Sequence, residues 1–213
     1  MTLGNMKNDL SEMEHYRKSC ETEFWQNVFR AESEYLLRHL KGCQTVLSVG
    51  CGPAVVEGLL SQRGLNVTGL DVTTEALGCA PDGVRTVVGR AEEMPFEAAT
   101  FDAVIFVASL QFIEDWRQAV AEAARVLRDG GRLIVLLLNP ASAFFREKFG
   151  NPHSYVRKIR QRDLSEIETA IAGRFNAQTE YFLGVNGTTL FESREPASAA
   201  LFVIHGARKE TSP

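Results

Sequence analysis

The chain predicts an α/β domain built on a seven-stranded mixed sheet, with helices on both faces and an antiparallel last strand. Three observations predict it. Short apolar runs alternate with amphipathic stretches from residue 23 to residue 139, the pattern of a parallel sheet covered by crossover helices. The stretch "TVLSVGCGPAVVEGLL", Thr45 to Leu60, sets two glycines one residue apart between an apolar run and an amphipathic one. The last two apolar runs follow each other with no helix between them, so they pair antiparallel.

Each element has its own signal. Residues 23–40 place Trp25, Val28, Phe29, Leu36 and Leu40 roughly on one helical face, and Gly42 ends that helix. "TVLSVG" is a short buried strand, and "AVVEGLLSQRG" is a helix with Val55, Val56, Leu59 and Leu60 on one stripe. "NVTGLD" (66–71) is the second strand. A short helix around Thr74 to Cys79 and a third strand near Val84 to Val88 follow. "FDAVIFVAS" (101–109) is apolar almost throughout, which suits a central strand buried on both faces. "DWRQAVAEAARVL" carries Trp116, Ala119, Val120, Ala123, Val126 and Leu127 at helical spacing and stops at "RDGG"; "RLIVLLLN" is the fifth strand. After an irregular segment, "DLSEIETAIAGRF" aligns Leu164, Ile167, Ile171 and Phe175 on one helix face. "AQTEYFLGV" and "AALFVIHGA" are the two closing strands.

Composition narrows the function classes. With 213 residues, 45% hydrophobic and 23% charged, the chain fits one large soluble domain. A net charge of −4 gives no broad electrostatic reason to expect a nucleic-acid partner. Cys20, Cys43, Cys51 and Cys79 form no CxxC pair, so neither a metal site nor a disulfide framework is expected. The first residues lack an apolar leader, and the run Leu133 to Leu138 is too short for a bilayer. The expected location is the cytoplasm, with no membrane partner. The expected organisation is a helical lid or appendage over 1–40, a main domain over 41–208 with an insertion or cap at 139–163, and a flexible tail over 209–213.

The glycine turn asks what comes so close to the backbone there. Open α/β sheets bind ligands beyond the carboxyl ends of their strands, and Gly50 and Gly52 end the first one. Asp71, at the end of the second strand, lies 71 − 50 = 21 positions beyond Gly50, close to the spacing of a carboxylate that grips ribose hydroxyls. A dinucleotide is disfavoured. The sixth position of a GxGxxG register is the β-branched Val55, which suits neither close helix packing nor a pyrophosphate.

"VLSVGCGPA", "VTGLDV", "GRAEEMPFEAATFDAVIFVASLQFI" and "EAARVLRDGGRLIV", in this order, resemble the class I S-adenosylmethionine-dependent methyltransferases, especially their small-molecule branch. The resemblance covers about residues 30 to 210 and implies a Rossmann-like seven-stranded sheet and S-adenosyl-L-methionine as cofactor. It implies that Gly50, Cys51 and Gly52 pass under the methionine portion, that Asp71 takes both ribose hydroxyls, and that Val72 leans on the adenine. Ala91 and Glu92 would frame the adenine edge, and Ala108 and Ser109 would line the methionine side. Gln111 occupies a position that often faces the reacting centre. The chain departs from the family at Ser48, usually an acid near the cofactor's ammonium, and at Arg90, often an acid facing the adenine amino group. Ser48 keeps a hydroxyl but brings no charge, and Arg90 cannot accept a hydrogen bond.

A sulfonium methyl is already activated, so orientation supplies most of the catalysis and a base is needed only for an acceptor that must lose a proton. Candidates for such a base are His15 and Tyr16 before the first helix, Gln111, and His153 and Tyr155 in the insertion. That insertion mixes Phe144, Phe145, Phe149 and Tyr155 with Arg146, Lys148, Arg157, Lys158, Arg160 and Arg162. It reads either as a basic cap over an anionic small molecule or as a helix with buried aromatics and a solvated basic face. His39 fits a helix end and His205 the last strand. Cys51 reads as a small filler, and Trp25 with its neighbours as core packing. The competing function is a non-catalytic protein of the same fold, a nucleoside sensor or partner subunit.

Overall fold

Alternating side chains along nearly continuous apolar strands build two separate cores, one on each face of a single sheet. The computed structural model describes residues 18–209. Its elements are α1 (Glu23–His39), β1 (Thr45–Val49), α2 (Val55–Ser61), β2 (Asn66–Asp71), α3 (Thr74–Leu77), β3 (Arg85–Val88), β4 (Phe101–Val107), α4 (Trp116–Val126), β5 (Leu127–Leu138), α5 (Ala143–Gly150), α6 (Leu164–Ala172), β6 (Phe175–Asn186), β7 (Thr189–Phe191) and β8 (Ala199–Arg208). Two 3-10 turns, Leu110–Phe112 and Tyr155–Lys158, complete them. On one face Leu47, Val49, Val104, Phe106, Leu133 and Val135 meet Trp116, Ala123, Ile167 and Ile171 of α4 and α6. On the other, Val46, Ala103, Ile105, Ile134 and Leu136 meet Leu36 of α1, Val56 and Leu60 of α2, and Phe144 and Phe145 of α5. The period of two that divides these sets is the pleat itself.

The strand order is β3-β2-β1-β4-β5-β8-β6-β7. Strands β1 to β5 are parallel, while β8 runs antiparallel to both β5 and β6. The expected antiparallel closing pair is therefore present, and the sheet has eight strands rather than seven. The extra strand is β7, which folds back on β6 through a two-residue loop, Gly187–Thr188, with Gly187 at φ +58°. "NG" at 186–187 is the local signal for that hairpin. Phe191 lies over Gly184, its paired residue, where a Cβ would come within 2.4 Å of the ring.

Glycine also decides how closely β6 and β8 approach. A Cβ on Gly206 would lie 2.3 Å from the carbonyl oxygen of Asn176, and both partners of that contact are backbone. Gly206→Ala is expected to destabilise the fold by about 1–3 kcal/mol, the range for overpacking a tight site. A urea midpoint equal to that of the native protein would contradict this reading of the β6–β8 pair.

Helix α1 is a layer of the domain itself, with Tyr35 and Leu36 essentially without exposed surface. Of the lid or appendage expected over 1–40, residues 1–17 lie outside the described residues, as do 210–213 of the expected tail. Lys209 is fixed, its backbone N–H donating to Arg174 O and its Nζ to Ala172 O. Among the described residues no helix is long and apolar enough to cross a membrane.

Candidate functional site

The strand order reverses between β1 and β4, so a crevice opens beyond their carboxyl ends. Gly50 leaves β1 at φ +70° and its N–H donates to Leu70 O at 2.7 Å, which turns the chain toward β2. The absence of a side chain there is required. A Cβ on Gly50 would sit 2.7 Å from Ser109 Cβ. Ser109 in turn donates its hydroxyl to Val49 O at 2.6 Å and ties the end of β4 to the end of β1. Next to it Ala108 takes a left-handed backbone, φ +48°. Gly52 also has positive φ, +54°, and no atom lies within 4 Å of where its Cβ would be. Its surface is open.

Asp71 closes β2 with both carboxylate oxygens held. The Gly52 N–H donates to Oδ2 at 2.8 Å and the Thr73 N–H donates to Oδ1 at 2.9 Å. One carboxylate therefore locks the glycine loop and the β2 turn to each other while keeping further lone pairs toward the crevice. Val72, beside it, is 63% exposed, an apolar surface that a flat ring could cover. Ala91 is buried, and Arg90 reaches across the same turn to pair with Glu92 at 3.0 Å. Cys51 fills the space over β2: a Cβ on Gly69 would lie 2.6 Å from its Sγ. Burial first, then the carboxylates of Glu57 and Asp71, push the thiol up and leave it protonated.

Beneath the loop the structure holds an acid pair that sequence reasoning did not anticipate. Ser48 donates its hydroxyl to Glu57 Oε1 at 2.5 Å, with both side chains buried. Burial is the main reason that Glu57 is raised to about 7, with Asp71 adding to it and the Ser48 bond opposing it. Glu32 of α1 is also buried, and burial together with Glu57 pushes it up to about 8. Its Oε2 has no hydrogen-bond partner. Burial, then Glu32, raises the hydroxyl of Tyr155 beyond its ordinary range. The Tyr155 ring stacks on Phe112, 6.3 Å between centroids, and meets Trp25 edge-on at 6.3 Å. The spacing Val28, Glu32, Leu36 is four and four, so the inward face of α1 already carried Glu32.

The remaining candidates do not gather at the crevice. Gln111 is fully buried. Its Nε2 donates to Leu138 O at 3.1 Å and its Oε1 accepts from the Leu138 N–H at 2.7 Å. It anchors the end of β5 and offers no exposed atom to an acceptor, which corrects its candidacy as a reacting group. His153 is exposed at the tip of the insertion. His15 and Tyr16 lie outside the described residues. The insertion's basic groups face outward: Arg157 and Arg162 sit over the Phe149 ring at 4.6 and 4.4 Å, and Arg160 faces Glu114 at 3.6 Å. His39, Glu180 and His205 do converge, each imidazole Nε2 lying 3.8 Å from Glu180 Oε1. That carboxylate already accepts from the Tyr35 hydroxyl at 2.5 Å and pairs with Arg194. The trio forms a satisfied polar cluster, separated from β1 by β4 and β5.

The chain is similar in sequence and fold to known methyltransferases. Residues 47–135 match the family model described as a methyltransferase domain. A demethylmenaquinone methyltransferase of Thermotoga maritima is 32% identical over 102 residues, 46% of this chain and 44% of that protein. A ubiquinone biosynthesis O-methyltransferase of Dechloromonas aromatica is 31% identical over 122 residues, 52% and 47% of the two chains. The chain spans about half the length of the curated relatives it matches. Among solved structures, a possible histamine N-methyltransferase from Thermotoga maritima superposes with a TM-score of 0.73 at 24% identity, covering 91% of this chain and 97% of that one. Phosphoethanolamine N-methyltransferase 2 of Haemonchus contortus, solved with S-adenosyl-L-methionine, gives 0.58 at 23% identity, over 70% and 38%. At these identities the structures share the fold.

Proposed function

We propose that this chain, which carries a methyltransferase domain of the class I S-adenosylmethionine-dependent type, transfers the methyl group of S-adenosyl-L-methionine to a small-molecule acceptor by in-line displacement. One observation carries the reading. Asp71 is clamped by the Gly52 and Thr73 N–H groups, which presents a fixed carboxylate to a ribose diol at the switch point of the sheet. The residues around it fit the rest of the nucleoside: exposed Val72 for the adenine face, Ala91 and Glu92 for its edge, the open surface of Gly52 for the methionine arm, and Ser109 and Ala108 at its far side. When bound, the cofactor supplies a methyl group on a cationic sulfur that leaves as a neutral thioether.

The chain's own part is orientation. Gly50 and Gly52 let the backbone run close beneath the arm, and Ser109 fixes the β1–β4 gap across which an acceptor approaches. Among the described residues little base chemistry is at hand. Tyr155 stays protonated because its hydroxyl is buried beside Glu32, so the reaction rests on placement and exclusion of water. The acceptor enters from the side of Phe112, Tyr155 and Trp25. A small-molecule acceptor is in keeping with the relatives, among them a demethylmenaquinone methyltransferase and, by fold, a possible histamine N-methyltransferase. An anionic acceptor draws less support, since Arg157, Arg160 and Arg162 are engaged with Phe149 and Glu114. No disulfide joins Cys20, Cys43, Cys51 and Cys79, which suits a cytoplasmic setting.

Two measurements test the proposal. S-adenosylhomocysteine should raise the melting temperature and NAD should not, because only a ligand that binds the native form stabilises it. With a labelled methyl donor and a pool of metabolites, label should pass to a small product. Folded protein that shows no shift with S-adenosylhomocysteine overturns the assignment, and a shift without turnover across broad acceptor pools would favour a sensor.

A further inference from the structure

Two carboxyl groups lie together beneath the glycine loop, one at the start of α2 and one in the middle of α1. Glu57 takes the hydroxyl of Ser48, next to the end of β1. Glu32 faces it with an oxygen that nothing satisfies. Among the described residues, neither acid has an ion pair with a lysine, arginine or histidine. A native interior rarely leaves a carboxylate oxygen orphaned, and such an atom calls for a missing partner. The groups that face the pair are Ser48 from β1, Cys51 from the loop, Asp71 from β2 and Tyr155 from the turn after α5. Each is an acid, a thiol or a hydroxyl. Among the described residues nothing cationic meets them, and Tyr155, beside Glu32, carries its ring against Phe112 and Trp25.

We propose that Glu57 and Glu32, with Ser48, form a buried subsite for a primary alkylammonium group. Acidic oxygens beside the Tyr155 ring match the donors of an ammonium and its adjoining methylene better than they match a neutral or anionic group. Among the described residues the pair belongs to no group of three or more side chains that could hold a metal ion together. The inference rests on the loop holding the methionine arm, whose α-amino group is such an ammonium. The same chemistry would also receive an amine acceptor entering past Tyr155. In either case the unliganded pair carries protons near neutrality, and an arriving cation drives a proton off.

Calorimetry at pH 7 tests this with S-adenosylhomocysteine, which has the amino-acid arm, and methylthioadenosine, which lacks it. We expect S-adenosylhomocysteine to bind the native protein at least tenfold more tightly, with a heat that differs between phosphate and Tris buffers because a proton is released. The methylthioadenosine heat should not differ. Glu57→Gln should weaken S-adenosylhomocysteine about tenfold or more and leave methylthioadenosine unchanged. If those differences are absent but n-butylamine raises the melting temperature of the S-adenosylhomocysteine-loaded native protein and not of Glu32→Gln, the ammonium belongs to the acceptor and the subsite stands. The buffer comparison needs no variant, so it decides even where a substitution fails to fold. Methylthioadenosine binding with no proton release, no loss in either variant and no amine effect overturns the subsite while leaving the nucleoside crevice intact. Failure of methylthioadenosine to bind the native protein removes the crevice, and the subsite with it.

Discussion

Glu32→Gln stabilises the protein at pH 9 by about 3–5 kcal/mol and leaves it nearly unchanged at pH 5. The carboxyl is buried beside Glu57 and holds its proton up to about pH 8, against an ordinary value of 4.5. Between those two values the unfolded chain has lost the proton and the folded chain has kept it. The unfolded state therefore binds fewer protons, and stability falls as pH rises through that window. The contribution of Glu32 is complete below pH 4.5 and gone above about pH 8. Glutamine has the shape of the protonated acid and cannot ionise, so it removes the slope and keeps the packing. Glu57→Gln acts in the same direction over a narrower window, up to about pH 7, and alters the Ser48 bond as well. Urea denaturation of both proteins at pH 5, 7 and 9 checks this; curves that stay parallel across that range would contradict the burial of an ionisable Glu32. A residue that lowers stability at working pH and sits under a ligand loop is what a binding site held against folding looks like.

The sheet was legible because its central strands are apolar on both faces. β1, β2 and β4 begin where the runs beginning at Thr45, Asn66 and Phe101 begin, and the turn at Gly50 fell where two glycines allow it. What escaped reading has physical reasons. The insertion does contain a helix with buried aromatics, Phe144 and Phe145, but the bounds of α5 are hidden where aromatics alternate with arginines and lysines; its N-cap, Ser142, whose Oγ accepts the Phe145 N–H at 3.0 Å, was the available signal. The hairpin to β7 is too short for any periodicity, leaving only the Asn186–Gly187 dipeptide. In the loop, Ala54 joins Gly50 and Gly52 in the left-handed region, φ +56°, a conformation that an alanine does not signal in a sequence. A carboxylate ordinarily stays at the surface, so composition gives no signal for burying Glu32 and Glu57, although spacing puts Glu32 in line with Val28 and Leu36. Ser48 looked like a loss of charge, and the carboxyl against it comes from nine residues further along the chain.

Asp71→Asn weakens S-adenosylhomocysteine binding by about 2–4 kcal/mol, a fall of roughly 30- to 1000-fold, because each hydrogen bond to a charged acceptor is worth about 1.5–3 kcal/mol. Both carboxylate oxygens already accept a backbone N–H, from Gly52 and from Thr73. An amide can accept only one of the two, and its NH2 group is turned against the other donor. The substitution thus removes the charge, spoils the aim of the remaining oxygen and loosens the link between the glycine loop and β2. Folding stability should fall by only about 1–3 kcal/mol, the cost of a single unpaired donor at a half-buried turn, so the variant remains folded and its binding can be measured. Methylthioadenosine should lose as much affinity as S-adenosylhomocysteine, since both carry the same ribose, whereas Glu57→Gln should separate the two ligands. That contrast assigns the sugar to the end of β2 and the ammonium to the space below the loop. A folded Asp71→Asn protein whose calorimetric affinity for either ligand stays within threefold of native would mean that the carboxylate only shapes the turn, and the nucleoside would have to be sought elsewhere on the sheet.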